Sequence, residues 1–132
     1  MLRRSALALA LLPFLAAGPG RAGEAGARKG GGLSFLELPT LTATVFKPSG
    51  RRGVLTVASG LDVADARLRV RATGLQPRLV DAYASFLRAY AGGLRPGAAP
   101  DPAAISAAMQ KATDAVLGKK GARVLLGTVM IN

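Results

Sequence analysis

The apolar residues of this chain change period once, near Asp65, and that change limits the folds open to it. Before it, Leu41, Ala43 and Val45 alternate with Thr40, Thr42, Thr44 and Phe46. Leu55, Val57, Ser59 and Leu61 likewise alternate with Val54, Thr56 and Ala58. A period of two, rich in β-branched residues, predicts strands over Leu36–Phe46 and Val54–Val63. Lys47-Pro48-Ser49-Gly50 between them is turn chemistry, so the two strands are expected to pair as a hairpin. Pro39 marks an edge or a strand start, because proline has no N–H for the ladder. After Asp65, Leu68, Ala72, Leu75, Leu79, Tyr83, Phe86 and Tyr90 recur at steps of three and four, which is one buried helical face. Asp62 or Asp65 can cap its start. Gly74 and Pro77 interrupt the pattern, and proline both removes a helical hydrogen bond and clashes with the preceding turn. A kinked helix or two abutting helices are expected, the stronger half running from Pro77 to Ala91 and ending at Gly92-Gly93.

Residues 94–100 form a Pro/Gly loop, and Asp101-Pro102 then reads as an N-cap followed by a first-turn proline. Ile105, Met109, Ala112 and Val116 predict the buried stripe of a helix that ends at Gly118. After the turn Lys119-Lys120-Gly121, Ala122–Asn132 reads as a last strand. Strict alternation puts Val124, Leu126 and Met130 on one face and Leu125, Val129 and Ile131 on the other. Apolar residues on both faces predict a central, well-covered strand, with its far end tied into the sheet. The order is β-β-α-α-β: a small α+β domain with an antiparallel or mixed sheet and helices on one face. There is no internal repeat.

The chain has 132 residues, room for one domain. Arg3 and Arg4 precede an apolar run, Ala6–Ala17, broken by Pro13 and followed by Gly18, Pro19, Gly20, Arg21 and Ala22. That succession is expected to be a secretory signal peptide over residues 1–22, or else a short N-terminal anchor. The run is about twelve residues against the ~20 that a spanning helix needs. The paired arginines leave the general and the twin-arginine export routes both open. Residues 23–35 are a Gly-rich linker, and residues 36–132 are the folded domain.

There is no cysteine and no histidine. Disulfides, thiol nucleophiles and Cys/His zinc sites are therefore excluded. So is the one side chain whose ordinary pKa suits proton shuttling near neutrality. Asp62, Asp65 and Asp101 sit at expected helix starts, and Asp81 and Asp114 sit on polar helix sides; none forms a calcium-loop spacing. No serine has a Gly-x-Ser-x-Gly context. No catalytic residue, cofactor or metal is expected, and the chain reads as a non-enzyme. Eighteen Lys and Arg face seven Asp and Glu, a formal charge of +11, or about +8 without residues 1–22. Such a balance favours acidic partners, though an exposed, solvated helix face carries charge as well. Arg67, Arg71, Arg78 and Arg88 recur beside the apolar stripe together with Asp81 and Ser85, and would form a basic interaction strip if the helix ran through Pro77. The aromatics lie on the apolar face rather than between the cations, so no nucleic-acid partner is expected.

Several segments in this order resemble the periplasmic domain of FliL-type flagellar basal-body-associated proteins. Leu36-Glu37-Leu38-Pro39 opens the hairpin, Leu61-Asp62-Val63 leads into a helix, and Gln76-Pro77-Arg78-Leu79-Val80-Asp81-Ala82 lies within it. Val116-Leu117-Gly118 ends a second helix, and Val124–Asn132 closes the chain. The family's Pro-x-apolar-x-Asp element matches Pro77, Leu79 and Asp81. The resemblance spans roughly residues 36–132. It implies a stomatin-like (SPFH-like) fold and a place in the periplasm, associated with the inner membrane and the flagellar basal body. It also implies partners among the motor and stator proteins, self-assembly into a homo-oligomer, and a role in motility and chemotaxis. Family members carry a transmembrane helix and a longer linker, where this chain has the short run described above. The alternative is a general envelope module that turns a basic surface to anionic lipid, such as the inner-membrane surface, or to acidic polymer.

Overall fold

The computed structural model describes residues 33–132; the expected signal segment and nearly all of the linker lie outside the described residues. Seven elements follow in order: β1 (Phe35–Glu37), β2 (Leu41–Phe46), β3 (Arg52–Val63), α1 (Ala66–Gly74), α2 (Gln76–Gly93), α3 (Pro102–Leu117) and β4 (Ala122–Ile131). The four strands form one antiparallel sheet in which β3 pairs with β1 and β2 along one edge and with β4 along the other. The domain is α+β, with helices over one face of the sheet.

The single strand expected over Leu36–Phe46 is broken in two. Glu37 pairs with Gly60 and Leu41 with Val57, so Leu38, Pro39 and Thr40 stand opposite only Ala58 and Ser59. This extra residue is a bulge at the proline, where the ladder tolerates a missing N–H. It restores the pattern that alternation alone would lose: Leu38, Ala43 and Val45 all point into the core.

The other neighbour of β3 bulges at the same place. Leu126 pairs with Ser59 and Val129 with Val57, so Gly127 and Thr128 face Ala58 together. Side chains directly opposite one another share a face, so Val124, Leu126, Val129 and Ile131 lie on the inner face, while Leu125 and Met130 lie outside. Moreover, β4 is an edge strand and β3 is the central one. The apolar doubling of β4 reflects a shift of parity at the bulge, not cover on both faces. Its far end is nonetheless tied down, because Asn132 exchanges backbone hydrogen bonds of 3.0 Å with Val54.

The inner face of β3 carries the core. Leu55, Val57, Leu61 and Val63 are fully buried against Leu79, Tyr83, Leu87, Ile105 and Met109 of the helices. Each such aliphatic side chain stabilises the fold by roughly 1.5–3 kcal/mol. Asp65 caps α1 by accepting from the Leu68 N–H at 2.9 Å, whereas Asp62 remains in β3 and accepts from Ser34 Oγ at 2.6 Å. The expected break between the two helices falls at Leu75, two residues before Pro77, which stands in the first turn of α2. In α2 the most buried positions beyond Tyr83 are Leu87 and Ala91 rather than Phe86 and Tyr90. Those two rings are half-buried, with centroids 5.7 Å apart; the buried seam keeps a step of four from Leu79 to Ala91 instead of shifting to a step of three after Tyr83.

In α3, Asp101 caps the first turn and Gly118 closes the last with φ +72°, a left-handed conformation suited to glycine. The buried stripe is Ile105, Met109, Thr113 and Leu117, not Ile105, Met109, Ala112 and Val116, which leaves the last two half-buried at the core margin. Thr113 takes a core position because its hydroxyl has partners. It donates to the Met109 carbonyl at 2.7 Å and receives the Tyr83 hydroxyl proton. Burial makes ionisation unfavourable and pushes the Tyr83 phenol above its ordinary pKa of 10.0, and the nearby Asp114 carboxylate adds repulsion. Ser59, at the paired bulges, has a buried Oγ without a hydrogen-bond partner among the described residues.

Candidate interaction surface

The four arginines expected to act together stand on two helices. Arg67 and Arg71 belong to α1, Arg78 and Arg88 to α2, and the non-helical Leu75 separates them (φ −99°, ψ 11°). All four are exposed, but no continuous helix joins them into one strip. Arg71 also has a local task, since its Nε donates to the Leu117 carbonyl at 3.0 Å. A guanidinium at the end of α3 meets the partial negative charge of unpaired carbonyls there. Arg67 lies beside it on a shallow cleft with Asp65, Leu68, Gly118 and Lys119. The neighbouring Arg69 donates to the Val63 carbonyl at 2.8 Å and ties α1 back to the end of β3. Sequence spacing gave no sign of that bond, because its acceptor is backbone.

The motif positions separate by depth. Leu79 is fully buried and belongs to the core. Pro77 and Asp81 are exposed and line an open groove with Pro39, Thr73, Gln76, Val80 and Ala84. The groove runs between the first turns of α2 and the bulge after β1. Pro39, Pro77, Val80 and Ala84 make most of its lining apolar, Thr73 and Gln76 add neutral polar groups, and Asp81 is the one carboxylate among the described residues that line it, in a chain with a large excess of positive charge.

The edge of β4 has an occupant that sequence reasoning missed. Gln110, on α3, donates through Nε2 to the Ala122 carbonyl at 2.7 Å and accepts the Val124 N–H at Oε1 at 2.9 Å. Its carboxamide therefore satisfies the strand edge as another backbone would, which blunts that part of the edge against pairing with another chain.

Among the described residues no group of three or more His, Cys, Asp or Glu could hold a metal ion, and no helix is long and apolar enough to cross a membrane. No protein-family model matches the chain, and a comparison with curated proteins finds no match.

Proposed function

We propose that this chain is a non-enzymatic, exported interaction domain of the bacterial flagellar basal body, similar to FliL-type proteins and built on their stomatin-like plan. In this reading it sits in the periplasm beside the stator units, assembles with further copies of itself and supports torque. The observation that carries the reading is the pairing of β4 with β3. A terminal strand, expected from the resemblance, returns to the central strand after three helices and is fastened to it through Asn132 and Val54. The helix break before Pro77 and the exposed Asp81 on a mainly apolar groove are in keeping with it. Work done on the outside of a rigid domain needs surfaces of this kind rather than a deep polar pocket.

A clean deletion tests the proposal. Swimming is expected to fall on soft agar, and more so in viscous medium, with growth unchanged. Full motility in both media would remove the flagellar role. Complementation with Asp81→Lys, which reverses charge without touching the core, is expected to restore motility less well than the unaltered chain.

A further inference from the structure

The face of the sheet that no described helix covers carries a cluster of exposed apolar side chains. Near the β2–β3 turn, three of the largest exposed apolar side chains lie on that face: Phe46 (51% exposed), Val54 (43%) and Met130 (42%). Register places them together. Val54 pairs with Thr44, two residues from Phe46, while Met130 pairs with Thr56, two residues from Val54. Such diagonal neighbours stand within reach of large side chains. The patch therefore crosses β2, β3 and β4 in sequence.

Cations border it. Arg52 is directly opposite Phe46, and Lys47 and Arg51 complete the turn, all three exposed. Arg95, from the loop after α2, shares a cleft with Phe46 and Lys47. No Asp or Glu occurs between Glu37 and Asp62, between Asp81 and Asp101, or after Asp114. The β2–β3 turn, the strand ends beside it and the loop from Leu94 to Pro100 are thus free of side-chain carboxylates, Asp101 being the first to follow that loop. The acidic residues of the sheet, Glu37 and Asp62, lie on β1 and at the far end of β3.

We propose that this end of the sheet docks on the surface of an anionic phospholipid bilayer. Phe46, Val54 and Met130 would enter the headgroup boundary while Lys47, Arg51 and Arg52 meet lipid phosphates. Apolar insertion or a basic cluster alone holds a protein weakly; the two together make a stable anchor. A second copy of the chain is a poorer occupant. Three side chains fall well short of the ~800 Å² per partner of a standard interface, and a two-fold axis would set one arginine cluster against another. This inference goes beyond the flagellar reading and does not need it.

The protein has no tryptophan, so Phe46→Trp in the full chain gives a single reporter at an exposed position. With vesicles containing phosphatidylglycerol, its emission is expected to shift to the blue and to be quenched by brominated acyl chains. Pure phosphatidylcholine should give little change, and added salt should reverse the effect by screening the charges. Arg51→Glu with Arg52→Glu in the same chain is expected to weaken partitioning by at least about tenfold, since each cation near such a surface contributes about fivefold. Arg67→Glu with Arg78→Glu changes the charge equally on the helix side and is expected to do less. Residues 1–32 are common to all variants, so differences report on the hairpin end. An unquenched tryptophan, or equal losses from the two charge pairs, would overturn the proposal. So would a blue shift that rises with protein concentration without vesicles, together with a doubled mass, since the face would then join two copies.

Discussion

Val54 and Leu55 are neighbours in one strand, yet they live in different solvents. Leu55 is fully buried beneath the helices, whereas Val54 on the opposite face is 43% exposed. The contrast extends along β3: Leu55, Val57, Leu61 and Val63 point inward, and Thr56, Ala58, Gly60 and Asp62 point outward. It teaches that the two faces have different duties. The inner face holds the fold by removing aliphatic surface from water. The outer face, which no helix among the described residues covers, is open to meet something else, and its side chains need only keep the strand extended.

Substitutions can break that contrast or sharpen it. The largest effect belongs to the pair itself. Leu55→Ala should destabilise by about 2–5 kcal/mol, while Val54→Ala should cost under about 1 kcal/mol, mostly as lost strand preference. Urea melts of the two variants compare the faces directly, and equal losses would mean that the outer face is covered after all.

Gly60 is the exception on the outer face. Phe35 lies across it so closely that an added Cβ would run into the ring, with the Leu36 carbonyl at 3.0 Å. Gly60→Val is expected to cost roughly 1–3 kcal/mol by overpacking, and Phe35→Ala in the same chain should recover part of that loss. Without recovery, the backbone contact rather than the ring sets the limit.

Tyr83 tests how dry the inner side is. Tyr83→Phe removes the hydrogen bond to Thr113 and should cost about 1 kcal/mol at neutral pH. The pH dependence has a defined sign. The folded-state pKa is raised above 10.0, so the folded chain holds this proton more tightly than the unfolded one. The associated stability is complete below pH 10 and is lost as pH rises through the folded value. Tyr83→Phe should flatten the alkaline limb of a stability–pH curve, and an unchanged limb would point to other groups.

Ser59 carries the smallest expected effect. Ser59→Ala removes a buried hydroxyl that has no partner among the described residues and should raise stability by on the order of 1 kcal/mol. A loss instead would show that the hydroxyl is satisfied in solution.

Much of this was legible in the sequence, and the failures share a cause. The inner residues of β2 and β3, the hairpin turn, the Asp65 and Asp101 caps and the break near Pro77 all follow from local periodicity or local chemistry. What was missed depends on registration between strands or on which helix positions tertiary packing buries. The face assignment of Val129, Met130 and Ile131 inverted because Gly127 and Thr128 share one partner position. Ala112 and Val116 gave way to Thr113 and Leu117 because a hydroxyl that appears polar in sequence found two partners in the core. The candidate surface fared likewise. Arg67, Arg71, Arg78 and Arg88 have helical spacing, but a broken helix does not hold them in one strip, and Arg71 is engaged by a carbonyl 46 residues away in the chain.

By itself the sequence determined which segments extend and which coil, because hydrophobic period, caps and turn residues act within a few residues of one another. It also removed thiol and imidazole chemistry, since those side chains are absent. Only the tertiary structure decided that β3 is central and β4 an edge, that both partners of β3 bulge at Ala58–Ser59, and that Phe46, Val54 and Met130 come together beside an arginine turn. Those outcomes depend on residues far apart in the chain competing for the same hydrogen bonds and the same buried space, a competition that no local pattern records.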